Sequence, residues 1–394
     1  MKAAILAAAW VAAWYSPPFP PTAVWSCNQV RTFSHQTVRQ VVQLEAAGDR
    51  VRIRLTDELG LGPLSFGEVH VALASPNGVT EPGTDRAVTF GGKPGATIPT
   101  GEALVSDPVD LKVRRFQDLA VSVYYPSGAA PAGHLFNLQI SPPGDHAAEP
   151  VWPQAARSQA PGLVSGVDIE TAAPPQVLVA FGDSITEGAC ATEGTHRDYP
   201  ERLAALLAAQ RGSESWVVIN SGISGNRLLH DGAGPKALAR FGRDALDISG
   251  VRAILLLEGI NDIGWAFDPA GNGGPLTAAD IIGAYQDLIR RAHERGLKVF
   301  LGTLLPYEGA TYSRPQGEKV REAVNAWIRE GRGFEGVVDF DAALRDPASP
   351  LHYLGADQCG DDLHPNDAGY AVMAEVAFQR LFAPGSTHAA LARR

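Results

Sequence analysis

The sequence has little cysteine, no long apolar run and no surplus of positive charge, and each shortage removes a class of protein. Three cysteines in 394 residues, Cys27, Cys190 and Cys359, have neither the density of a disulfide scaffold nor the paired spacing of a zinc site. No apolar stretch approaches the ~20 residues of a membrane-spanning helix, so no membrane span is expected. Lys and Arg number 33 against 43 Asp and Glu, a formal net charge of −10. Phosphate backbones are bound by clustered cations, so nucleic acid is not an expected partner, and an anionic membrane surface is disfavoured. A neutral or cationic substrate is the easier expectation.

What remains is a chain of 45% hydrophobic and 19% charged residues, long enough for two domains with separate cores. Lys2 and the apolar stretch from Ala3 to Ala9 resemble the front of a signal peptide, but cleavage at Ala7–Ala9 leaves too short an apolar region. Trp10–Tyr15 reads instead as a first strand, ended by Pro17-Pro18 and Pro20-Pro21. No secretion signal is assigned, and localisation stays open.

From about Val38 to Ile140 the pattern has period two. Val51, Ile53 and Leu55 alternate with Arg52 and Arg54, and Val69, Val71 and Leu73 with His70 and Ala72. Further runs, Ala87–Phe90, Leu119–Tyr125 and Leu135–Ile140, are separated by turns such as Ser75-Pro76-Asn77-Gly78. Short strands punctuated by Gly and Pro predict an all-β domain over residues 1–141, a sandwich or jelly roll. Residues 142–175, rich in Pro, Ala, Gly and Ser, read as a linker with one short strand near Leu163–Ile169.

After Pro175 the pattern changes. The apolar runs Val177–Phe181, Trp216–Ile219, Ala253–Leu257, Val299–Leu301 and Val337–Phe340 read as buried parallel strands. Helical stretches lie between them. In Thr277–Arg295, Ile281, Tyr285, Leu288, Ile289 and Ala292 share one face, Thr277 and Asp280 form a start signal, and Gly296 a stop. This alternation predicts a doubly wound α/β domain over 176–384, with a tail at 385–394 and a ligand site at the carboxyl ends of the strands.

Four short segments carry chemistry at those ends: Gly182-Asp183-Ser184-Ile185-Thr186, Ile223-Ser224-Gly225-Asn226, Gly259-Ile260-Asn261-Asp262 and Asp361-Asp362-Leu363-His364-Pro365. Ser184 sits at a strand-to-helix turn, exposed beside backbone N–H groups. An ordinary helix cap would look the same, and Thr186 stands where a nucleophile elbow has its second glycine. His364 has a suitable pKa to take the proton of Ser184, and Asp361, three residues earlier, can turn back to orient its ring. Asp362 is the competing orienter. Asn261 can offer its side-chain amide to a developing oxyanion, Gly225 its backbone N–H, and Ser184 its own N–H as a third donor. Gly225 and Asn261 also suit plain turn roles. Cys190 lies six residues after Ser184, and Cys359 five before His364. A disulfide clamping the two segments and a pair of free thiols both fit this spacing.

Taken together and in this order, the four segments resemble the four blocks of the SGNH (GDSL-type) esterase family over about Val177 to Phe382. The resemblance implies a three-layer α/β/α, flavodoxin-like domain with a parallel sheet. It makes Ser184 the nucleophile, Gly225 and Asn261 oxyanion donors, and Asp361 with His364 the rest of a catalytic triad. Ile185 replaces the usual Leu, and Asp362 stands where Gly is common. Asn220–Leu229 and Leu256–Ile263, with Arg39–Val42 and Val51–Thr56, resemble a two-domain subgroup with an N-terminal β-domain that includes acetylxylan-esterase-like enzymes. The expected activity is that of a serine esterase removing acetyl or other short acyl groups from a carbohydrate, with no metal or cofactor. Trp265 is a candidate wall for a sugar ring, although core packing suits it equally. The alternatives are a general short-chain aryl or alkyl esterase or a thioesterase, and a carbohydrate-binding protein whose hydrolase site is degenerate. Acyl length and oligomeric state are not encoded in any motif.

Overall fold

The computed structural model describes residues 8–21, 30–210, 215–269, 274, 276–382 and 391. Most of the signal-like front, Cys27 and the predicted tail apart from Leu391 lie outside the described residues. The chain divides into two compact units, Met1–Pro175 and Gln176–Arg394.

The N-terminal unit is built from antiparallel strands. One sheet has the order β1 (Ala9–Tyr15), β13 (Val164–Thr171), β3 (Gly48–Thr56) and β8 (Ala103–Val105), with β9 (Val109–Val113) also on β3. The second runs β12 (Ala156–Pro161), β11 (Leu135–Pro143), β2 (Gln36–Gln43), β10 (Asp118–Tyr125), β5 (Val69–Ala74) and β6 (Arg86–Val88). A small pair, β4 (Leu64–Phe66) and β7 (Ala96–Ile98), completes it. The period-two pattern explains the packing. Val51, Ile53 and Leu55 are fully buried, while Arg50 and Arg52 face outward and pair across the sheet with Glu170 and Asp168. Gln40 of β2 donates to Val164 O of β13 at 3.2 Å, and Trp14 of β1 meets Phe136 of β11, so the two sheets share one core.

The stretch expected to be a linker, 142–175, is corrected by these strands. β12 lies at the edge of the second sheet, and β13 is an interior strand of the first. Val164, Val167 and Ile169 are buried, but the register shifts between Val164 and Gly166. The short strand expected near Leu163–Ile169 is thus β13, whereas β12, whose run Ala156–Pro161 is mostly exposed, was not expected.

The C-terminal unit contains a parallel sheet in the order β15 (Trp216–Gly222), β14 (Gln176–Gly182), β16 (Val251–Leu257), β17 (Lys298–Gly302) and β18 (Gly336–Val338). Numbered from its first strand this is 2-1-3-4-5, the flavodoxin-like doubly wound order, with its switch point between β14 and β16. The strands are almost wholly apolar because both faces are covered. α2 (Tyr199–Ala209) packs with α7 (Asp367–Leu381), and α6 (Pro315–Glu330) packs with α4 (Ile260–Phe267) and α5 (Ala278–Glu294). This is the three-layer α/β/α arrangement. The α5 helix has the predicted capping box, in which Thr277 and Asp280 satisfy each other's backbone N–H.

Candidate active site

Strand β14 ends at Gly182, and the chain turns at once into the single-turn helix α1 (Ser184–Glu187). The turn is tight. A Cβ on Gly182 would lie 2.2 Å from both Leu257 O and Thr186 Oγ1, so no other residue fits without movement. Asp183 caps the helix by accepting Ile185 N–H at 3.0 Å, and burial pushes its carboxyl up. Ser184 is thereby fixed as the first helical residue, 5% exposed.

His364 arrives from a loop nearly two hundred residues later. Its Nε2 lies 2.8 Å from Ser184 Oγ, and its Nδ1 lies 2.6 Å from Asp361 Oδ2. Asp361 Oδ1 accepts the backbone N–H groups of Leu363 at 3.0 Å and His364 at 2.9 Å. Burial on its own would raise the Asp361 carboxyl, but the His364 ring and these N–H groups outweigh it and hold it down at about 2. The loop is anchored on both sides. Tyr353 OH donates to Leu363 O at 2.8 Å, Cys359 N donates to His364 O at 3.1 Å, and Asn366 Nδ2 donates to Ala356 O and Gln358 O.

Asp362 does not face the ring in this way. Its Oδ1 accepts Gln358 Nε2 at 2.9 Å, and its backbone has φ +57°, a conformation glycine adopts freely. That is the physical reason glycine suits this position. Cys190 and Cys359 are joined as a disulfide, Cα to Cα 6.2 Å, which ties the loop after α1 to the loop before His364. Cys190, Cys359 and Asp361 form a three-residue group of metal-ligand type, the only one among the described residues. Its two sulfurs are bonded to each other, and its carboxylate is engaged by His364.

The two remaining segments flank Ser184 because β15 and β16 flank β14. Gly225 follows β15 with φ +71°, within a turn closed by Asn226 N–H on Ile223 O. Asn261 is the second residue of α4, after Gly259 at φ +118°. Asn261 Nδ2 donates to Asn226 O at 2.9 Å, so these two segments hold each other. Asp262 is buried and accepts Leu228 and Leu229 N–H. Its carboxyl is pushed up to about 6 by burial. Trp265 gives one face to Tyr312, with ring centroids 5.7 Å apart and planes at 22°.

Two residues unremarked in the sequence organise this region. Arg240, wholly buried on the short helix α3 (Ala237–Phe241), donates to Asn226 Oδ1 at 2.8 Å, Gly182 O at 2.7 Å and Ser221 O at 3.0 Å. It also lies 3.4 Å from Asp244, 3.6 Å from Glu258 and 4.0 Å above the Phe181 ring. One guanidinium thus reaches the strand end before Ser184, the Gly225 loop and the residue preceding Gly259. Its signal was a lone cation inside the apolar run Ala237–Phe241. Tyr312, from the loop before α6, donates its hydroxyl to Asn261 Oδ1 at 3.1 Å, and nothing in its own segment marks it.

A hydroxyl, an imidazole and a carboxylate in hydrogen-bonded line, at the switch point of a parallel sheet, form a set able to move a proton from oxygen to nitrogen. Residues 180–372 match the model of the GDSL-like lipase/acylhydrolase family. No match was found among curated proteins. Among solved structures, a catalytic mutant of an acetylxylan esterase from Geobacillus stearothermophilus is 22% identical over 52% of this chain and 94% of that one, with a TM-score of 0.42. An alpha/beta hydrolase enzyme from the metagenome of Lake Arreo, Spain, is 23% identical over 52% and 94%, with a TM-score of 0.41. An acetyl xylan esterase is 20% identical over 52% and 98%, with a TM-score of 0.39. No helix of the described residues is long and apolar enough to cross a membrane. Over residues 180–372 the chain carries a GDSL-like lipase/acylhydrolase domain, and that domain is a carboxylic ester hydrolase.

Proposed function

We propose that Ser184 is the nucleophile of a short-acyl esterase, with acetyl groups on a carbohydrate as the substrate class. The observation that carries this reading is the line Asp361 Oδ2, His364, Ser184 Oγ, joined at 2.6 and 2.8 Å. Ser184 Oγ attacks the ester carbonyl while its proton passes to His364 Nε2. The carbonyl electrons move onto oxygen, which faces the N–H groups of Ser184 and Gly225 and the amide of Asn261. The carbon–alkoxy bond then breaks, and the imidazolium returns the proton to the departing alcohol. Water repeats the sequence on the acyl-enzyme, releasing the acid and restoring Ser184. Asp361 accepts the Nδ1–H throughout and remains ionised, in keeping with its lowered pKa. The carbohydrate assignment draws on the likeness of segments 220–229 and 256–263 to acetylxylan-esterase-like enzymes, and on the aromatic pair Trp265 and Tyr312 beside Asn261.

The test is acetate release from acetylated xylan and from p-nitrophenyl acetate, for wild type and Ser184→Ala. Release from both, lost in Ser184→Ala, is the expected result. Ser184-dependent activity on the aryl ester alone removes the carbohydrate but keeps the mechanism, and leaves a general esterase. Glycan binding without turnover on either substrate would overturn the esterase reading in favour of a binding protein.

A further inference from the structure

Asn261 sits where a side-chain amide can meet an oxyanion, but an amide turns easily. The terminal torsion of asparagine is broad and nearly two-fold, so the donor can swing away from the reacting oxygen or exchange places with the carbonyl. In this protein both ends are pinned. Asn226 O is a carbonyl and can only accept, so the group opposite it at 2.9 Å must be the NH2 of Asn261. That leaves Oδ1 on the other side, where Tyr312 OH lies 3.1 Å away and donates to it. The amide has two N–H bonds. One is spent on Asn226 O, and the direction of the second follows once the first and Oδ1 are fixed.

The tyrosine is itself placed with little freedom. A Cβ on Gly264 would fall 1.7 Å from Tyr312 Cδ2 and Cε2, so the ring lies flat on α4 at a position bare of side chain, one turn beyond Asn261. Trp265 stacks on the same ring. Burial pushes the phenol up from its ordinary value, so it keeps its proton and remains a donor across the working range. Donation to Oδ1 also polarises the amide and strengthens its N–H as a donor.

We infer that Tyr312 is a positioning residue for ester hydrolysis, its hydroxyl holding the Asn261 amide with the second N–H aimed at the oxyanion. This rests on the reading of Asn261 as an oxyanion donor, and it adds a residue that touches neither nucleophile nor base. The effect belongs to the transition state, because the oxyanion is absent from the ground-state ester.

A double-mutant cycle on p-nitrophenyl acetate turnover separates the two claims. Asn261→Ala should lower kcat by on the order of 10²–10³, the usual cost of losing one oxyanion donor. Tyr312→Phe, which keeps the ring on Gly264 and against Trp265, should lower kcat by about ten-fold and leave KM within about two-fold. In the Asn261→Ala background the same Tyr312→Phe change should cost nothing further, because the amide it orients is gone. Thermal midpoints read alongside identify any loss from unfolding. Wild-type kcat in Tyr312→Phe, or an equal loss in both backgrounds, overturns the positioning role and leaves Tyr312 as packing. An Asn261→Ala enzyme as fast as wild type overturns the oxyanion assignment itself, and the inference with it.

Discussion

Replacing Asp361 by asparagine tests the proposed mechanism through a single atom. Asp361 Oδ1 already accepts two backbone N–H groups, and Oδ2 faces His364 Nδ1. An asparagine at this position must leave its carbonyl oxygen on the two N–H donors, so its NH2 falls opposite Nδ1. Two donors cannot share that contact. The ring must then present Nδ1 as an acceptor and carry its proton on Nε2, which faces Ser184 Oγ at 2.8 Å. An imidazole in that tautomer cannot take the serine proton. Loss of the correct tautomer costs on the order of 10³–10⁴ in turnover, or about 4–5 kcal/mol of barrier. The expected outcome in Asp361→Asn is a fall of that size in kcat for p-nitrophenyl acetate near neutral pH, with the thermal midpoint little changed. Asp362→Asn is the matched control. Its partner is Gln358, and asparagine tolerates φ +57°, so kcat should stay within about two-fold. An Asp361→Asn enzyme within about ten-fold of wild type would refute the tautomer reasoning. So would equal damage from Asp362→Asn, which would give the orienting role to the wrong carboxylate.

Two further outcomes concern stability. Arg240→Met should destabilise the fold by ~3–5 kcal/mol in urea unfolding, because Glu258 would remain buried without its cation and Asn226, Gly182 and Ser221 would lose the donor they share. Arg240→Lys should recover less than half, since an ammonium cannot span Asn226, Gly182 and Ser221 as the planar fork does; wild-type stability in Arg240→Met would exclude this role. Asp57, just after β3, is fully buried, its oxygens lack hydrogen-bond partners among the described residues, and burial pushes its carboxyl up to about 6. A raised folded-state pKa means that its contribution is full below the unfolded value of ~4 and is lost as pH rises through about 6. Asp57→Asn should therefore flatten the thermal midpoint between about pH 4 and pH 7, and a variant as steep as wild type would remove Asp57 as the cause.

Three of the four candidate segments could be read in the sequence because each follows an apolar strand, and the sheet does the rest. Once β14 lies between β15 and β16, residues 184, 225 and 261 converge although scores of residues separate them. What orients those residues was much less legible. Arg240 in isolation reads as one charged position of a helix, and only the enclosure of Ala237–Phe241 turns it into a buried hub. Tyr312 lies in a loop without periodicity, and its role depends on an absent side chain at Gly264 in another element. The strand β13 was legible as a short strand near Leu163–Ile169, but β12 was hidden by the Pro, Ala and Gly around it, and with it the place of both strands in the two sheets. Cysteine spacing left both a bond and two free thiols open, because a sequence does not state that two loops meet.

The Cys190–Cys359 bond closes a covalent ring around most of the sheet, since 169 residues separate its two ends. A peptide cut anywhere between them opens the ring without dividing the molecule, so the piece bearing Ser184 and the piece bearing His364 stay attached. A nicked chain would keep its intact mass in a non-reducing gel and fall into two fragments only when a thiol reductant is added. Whether it goes on turning over ester then depends on the packing of the cut segment, not on the pieces finding one another again.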